Sequence, residues 1–142
     1  MPTLDEARAI IAGALAEARR RGAKPLAVIV LDAGGHPVAF EREDGASLFR
    51  HDIARAKAFG ALGMGSDTRA IAERAAGNPA FFTSVVVASG GNLALSAGGV
   101  IVRDLAGAIV GAVGISGDTS DVDEACAIAG IDAAGLNHGA NS

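Results

Sequence analysis

The chain has no tryptophan, no tyrosine and only five phenylalanines in 142 residues. Single-stranded nucleic acid is held on aromatic platforms, and this sequence cannot build them. Cys126 is the single cysteine, which excludes an internal disulfide and any zinc site built on cysteine pairs. It reads as a small apolar packing residue on the last helix. Positive charge is scarce as well: 12 Lys and Arg face 16 Asp and Glu, for a net charge of −4. That balance argues against a surface for nucleic acid or for an anionic membrane. No apolar run reaches the ~18 residues of a membrane span. Asp5 and Glu6 stand where an export signal would be basic and then apolar. These absences predict a cytoplasmic protein with neither a nucleic-acid nor a membrane partner.

Small apolar residues and glycine are abundant instead: half the chain is hydrophobic and 20 residues are glycine. The length predicts one domain over 1–142, with a loose polar tail after about residue 136. Thr3 to Arg21 places Leu4, Ala7, Ile11, Ala14, Leu15 and Ala18 on one helical face. Thr3 and Glu6 have capping-box spacing, and Gly22 follows three arginines at the negative end of the dipole. Leu26 to Leu31 is unbroken and apolar, as in a central strand buried on both faces. Turn residues 32–35 lead to a return strand, Val38 to Arg42.

Ser47 to about Gly63 reads as a second helix. Thr68 to Ala76 reads as a third, capped by Ser66 or Asp67 and stopped by Gly77-Asn78-Pro79. Ser84 to Ala88 is β-branched and predicts a strand, and Leu93 to Ala97 predicts a short strand or a loop. Two β-branched runs then flank a turn at Arg103 to Gly107, and a last helix runs from about Ser120 to Ala134. Gly111, Gly114 and Gly117 interrupt the second run, the mark of close approach by another backbone or a ligand. Hairpins without βαβ crossovers predict an antiparallel α+β domain with Leu26 to Leu31 central.

Gly60-Ala61-Leu62-Gly63-Met64-Gly65 has the wrong glycine order for a dinucleotide loop and follows a helix, not a strand. No serine sits in a nucleophile elbow. His36, His51 and His138 have no ligand spacing to one another or to Cys126. His36 reads as a turn residue and His138 as part of the tail. His51, beside Asp52 on the second helix, reads as a surface histidine or, alternatively, as a ligand contact. Asp118, Asp121, Asp123 and Glu124 read as helix N-terminal charges. No catalytic residue stands out.

Leu26-Ala27-Val28-Ile29-Val30-Leu31-Asp32-Ala33-Gly34-Gly35-His36, Phe40-Glu41-Arg42-Glu43-Asp44-Gly45-Ala46, Asp52-Ile53-Ala54 and Lys57-Ala58-Phe59 resemble the GlcG/HbpS family of DUF336 haem-binding-like domains. That family also includes the C-terminal domain of PduO-type proteins. Gly98-Gly99-Val100, Gly111-Ala112-Val113-Gly114-Ile115-Ser116-Gly117, Asp123-Glu124 and Ala129-Gly130 resemble its C-terminal signature. The resemblance runs from Thr3 to Leu136. It implies a profilin-like fold with a five-stranded antiparallel sheet flanked by helices, homo-oligomers and, for some members, haem or a related tetrapyrrole as ligand. Thr68, eleven residues after Lys57, matches a threonine that a haem-binding member uses at the iron. Asp67 and Ile101 stand where the family has proline.

The leading expectation is therefore a homo-oligomeric domain that binds a small molecule, best haem, through Met64, Ser66, Thr68, Gly98, Gly99 and His51, with Thr68 also at the haem iron. The rivals are an enzyme or accessory protein for a small organic acid or aldehyde, using the same pocket, and a scaffold whose product is its own assembly.

Overall fold

Thr3 and Glu6 cap α1 (Leu4–Arg21) reciprocally, and Gly22 ends it in the left-handed region at φ 66°. This is a computed structural model, and it describes residues 2–139. After α1 come β1 (Ala27–Asp32), β2 (Pro37–Arg42), α2 (Arg50–Met64), α3 (Thr68–Gly77) and α4 (Pro79–Ala88). The chain continues through β3 (Gly99–Arg103), β4 (Ile109–Ser116) and α5 (Ser120–Ala133). The strands form one antiparallel sheet in the order β2-β1-β4-β3. The apolar run of residues 26–31 is central, as its composition predicts.

Alternation along the strands divides the core into two layers. Val28, Val30, Val113 and Ile115 face α1 and α5, where they meet Ile10, Ile11, Cys126 and Ile131. Each such side chain, fully buried, contributes roughly 1.5–3 kcal/mol. Ala27, Ile29, Leu31 and Ala112 face α2, against Ala54 and Ala58. Helix α2 lies almost on the backbone of the sheet. A Cβ at Gly114 would collide with the Ala54 carbonyl, and one at Gly99 with the Lys57 carbonyl.

Among the described residues the sheet has four strands, not the five expected. Ser84 to Ala88, predicted as a strand, is the second half of α4. Pro79 opens that helix at a position that needs no N–H, and the β-branched run continues it. Strand preference is largely a fit to a pleated, half-buried surface, and beside β3 that surface is taken. Ile115 N donates to Gly98 O, which sets the register. Gly99, Ile101 and Arg103 therefore turn their backbones outward. Gly99 N donates to Thr68 Oγ1 and Ile101 N to Asp67 Oδ1, each at 2.8 Å. Arg103 N donates to Asn137 O, also at 2.8 Å. The start of α3 and residue 137 thus occupy the place of a fifth strand. Residues 93–97 form a loop. Of the tail expected to be loose, residues 140–142 lie outside the described residues.

Candidate functional site

Helix α2 ends at Gly65 and α3 begins at Thr68, so residues 65–67 make a tight corner beside β3. Asp67 occupies the N-cap position of α3 but makes no side-chain cap. Its carboxylate is turned to Ile101 N instead, which leaves the first amides of α3 uncapped. Burial pushes the Asp67 carboxyl above its ordinary range, against the pull of Ile101 N, His138 and Arg103.

An open groove of about 710 Å³ lies outside this corner, with Ser66, Asp67, Arg69, Arg103, Ile128 and His138 in its lining. Its volume falls in the range of small-molecule sites, ~300–1,000 Å³. A neighbouring hollow of about 450 Å³ shares Arg103 and His138 with it. Arg69 is committed to Asp121 and to Glu124, the latter at 2.9 Å, and both hold its guanidinium more firmly protonated. Arg103 is less committed. Its Nη1 donates to Gly107 O at 2.8 Å, and its buried Nε has no hydrogen-bond partner among the described residues. The His138 Nε2 stands 3.1 Å from Asp132 Oδ1. Guanidinium donors beside open helix amides are chemistry for a carboxylate or another anion.

The residues singled out in the sequence fall in different places. Ser66 lines the groove. Thr68 is 0% exposed, its hydroxyl accepting from Gly99 N and facing Gly99 O at 3.4 Å. Gly98 and Gly99 are buried behind it, against Lys57 and Thr68. Met64 lines a separate apolar hollow of about 120 Å³, with Phe59, Val85 and Leu93. His51 is at the other end of α2, roughly 20 Å along the helix from Met64 at 1.5 Å per residue. There its ring meets Phe40 edge-on, with centroids 4.7 Å apart. The structure joins Thr68 to Gly99 and puts Ser66 in the groove, and it leaves His51 elsewhere.

Sequence reasoning missed Arg103 and His138, which reach the groove from the end of β3 and from the tail. It also missed an ion pair. Lys57, 3% exposed, donates to Asp123 Oδ2 at 3.1 Å and to Ile115 O at 2.8 Å. Asp123 Oδ1 accepts from Asp118 N at 3.0 Å. Desolvation pushes Lys57 below and Asp123 above their ordinary ranges, each against the pull of its partner. The signal was present: Lys57 follows Ala54 by three residues and precedes Ala61 by four, on the buried face of α2.

Among the described residues no group of three or more His, Cys, Asp or Glu is arranged to hold a metal ion. None of the described helices is long and apolar enough to cross a membrane.

A family model described as haem-degrading protein HbpS-like matches residues 3–132. The crystal structure of HbpS is 30% identical, covers 92% of this chain and 87% of its own, and superposes with a TM-score of 0.78. A double mutant of the Streptomyces reticuli HbpS is 32% identical over 96% of this chain and 87% of its own, with a TM-score of 0.78. PduOC in complex with haem is 23% identical over 97% of this chain and 96% of its own, with a TM-score of 0.85, a likeness of fold. No curated protein matches the chain.

Proposed function

Because the chain belongs to the HbpS-like family, we propose that it is a small-ligand-binding domain for haem or a related tetrapyrrole, and that it works as a homo-oligomer on a profilin-like frame. The observation that carries this reading is the groove beside the α2–α3 corner, large enough for a small molecule, with Arg103 and the first amides of α3 as its donors to an anion among the carboxylates of Asp67, Glu73 and Glu124. The family match and the haem complex of PduOC support the choice of ligand.

The residues present fit the carboxylates of such a ligand. Arg103 brings an unpartnered Nε and α3 brings uncapped amides. Ala70 and Ile128 add apolar wall, and Ser66 a hydroxyl at the corner. Thr68, Gly98 and Gly99 act from behind, fixing that corner to β3. Thr68 reaches an iron only by giving up its bonds to Gly99. Met64 lines a hollow separate from the groove and His51 lies at the far end of α2, so each serves the ligand only in an assembly that carries it to another copy's groove. Haem, when bound, supplies an iron whose reactivity follows its axial ligand and the polarity around it.

Titration with haemin tests this. The expected result is a saturable Soret band at one equivalent per chain. Thr68→Ala is expected to leave the position of that band unchanged, whereas a shifted band with lost affinity would put Thr68 at the iron. No uptake of haemin would remove haem and leave the fold and family standing.

The charged lining favours a second reading, a small organic acid held by Arg103 and the α3 amides in the same groove. Native mass spectrometry of the purified protein separates the two, because a retained acid and a retained porphyrin differ in mass.

A further inference from the structure

Resting on the haem reading above, we propose that His138 is the side chain of this groove that ligates the iron of a bound tetrapyrrole. Iron in such a ring is held by histidine, cysteine, methionine or tyrosine, and among the described residues the structure leaves one of these at the groove. There is no tyrosine in the chain. Cys126 is buried between α1 and α5, and burial pushes its thiol up to about 11, far from a thiolate. Met64 opens into a different hollow. His36 sits in the β1–β2 turn with Nδ1 3.2 Å from Asp32, and His51 packs on Phe40. Thr68 is buried and engaged. Among the described residues His138 alone of these types lines the groove.

Its setting suits the role. Arg103, His138 and Gly139 line both the 710 Å³ groove and the 450 Å³ hollow, so the imidazole stands where the two adjoin. Asn137 is bridged to Arg103 in both directions, N to O at 2.8 Å and 3.1 Å, which anchors the backbone next to the ring. The Nε2 meets the Asp132 carboxylate. A carboxylate on one ring nitrogen sets the tautomer and leaves the other nitrogen as the donor to a metal. Arg103 is then close by for a ligand carboxylate.

The test uses the full chain, haemin, and metal-free protoporphyrin IX. His138→Ala is expected to lose the Soret position and the electron paramagnetic resonance signature of the wild-type haemin complex. Added imidazole should restore both. Asp132→Asn should weaken haemin binding by about tenfold, the usual effect of removing a partner behind a metal ligand. Affinity for protoporphyrin IX, read by fluorescence, should fall far less than affinity for haemin in both variants, which separates loss of a ligand from loss of the fold. A His138→Ala complex with the wild-type spectra overturns the assignment while haem binding stands. A wild-type protein that takes up neither haemin nor protoporphyrin IX overturns the haem reading and this inference together.

Discussion

Lys57 carries a buried ammonium group from α2 to the Asp123 carboxylate of α5 and the Ile115 carbonyl of β4. Breaking such a pair on one side leaves an uncompensated buried charge and costs about 3–5 kcal/mol. Asp123→Asn keeps an acceptor for Asp118 N, removes the charge, and sets an amide NH2 in place of the oxygen that accepts from Lys57. The variant is therefore expected to unfold at markedly lower urea near neutral pH. Burial lowers the Lys57 pKa, so below 10.5 the native state binds fewer protons than the unfolded chain. Stability from this group rises with pH in that window. Asp123 works oppositely: its raised pKa gives a contribution that is full below 3.8 and is lost as pH rises through the native value. Without Asp123 the Lys57 pKa falls further, so the deficit of the variant should shrink as pH rises towards 10.5. Urea unfolding of both proteins across that range checks it. A deficit that does not change with pH would mean that Lys57 stays charged in the variant. Only half of this pair was legible in the sequence: the position of Lys57 on the alanine face was visible, but its partner lies 66 residues away.

Strand β3 shows how a sheet edge can be closed without another strand. The hydroxyl of Thr68, the carboxylate of Asp67 and the backbone of Asn137 take its outward amides. Removing one buried acceptor strands its donor at about 1–3 kcal/mol. Thr68→Val and Asp67→Ala are each expected to lower stability by that amount. In native-state hydrogen exchange, Thr68→Val should speed the Gly99 amide and Asp67→Ala the Ile101 amide, with residues 27–31 little affected. Unchanged protection at Gly99 and Ile101 would show that these side chains do not close the edge. The elements with punctuation of their own were readable: α1 from its capping box and Gly22, β1 from its unbroken apolar run. Helix α4 was misread because Val85, Val86 and Val87 favour a strand locally, and what denies them one is three hydrogen bonds made by residues far away in the chain. The family resemblance, with its five strands, reinforced the error.

The groove shows the same limit for a site. It is assembled from residues 65–73, Arg103, Glu124 with Ile128, and residues 138–139, four stretches with no common motif. The family resemblance, carried from Lys57 to Thr68, reached the one stretch that contains Ser66 and Asp67. The other edge of the sheet bears on how many chains act together. On β2, Glu43 N donates to Leu26 O, which turns Phe40 and Arg42 outward, and their backbone groups have no hydrogen-bond partner among the described residues. At that edge Phe40 meets His51, and Leu48 and Phe49 follow just before α2 at 77% and 67% exposure. An open edge beside exposed apolar side chains favours pairing with another chain. Closure of β3 and openness of β2 together place the proposed self-association on one side of the sheet. A second apolar patch, Phe81 and Val87 on α4, lies on a different element. Light scattering at micromolar concentration is expected to give a mass of two chains or more. Leu48→Glu with Phe49→Glu should lower it towards one chain, because burying two new carboxylates in the contact costs more than the contact returns. Val87→Glu should leave the mass unchanged if β2 is the interface, and should lower it if α4 is. A wild-type mass of one chain would defeat the homo-oligomer, while the groove in each copy would remain as described.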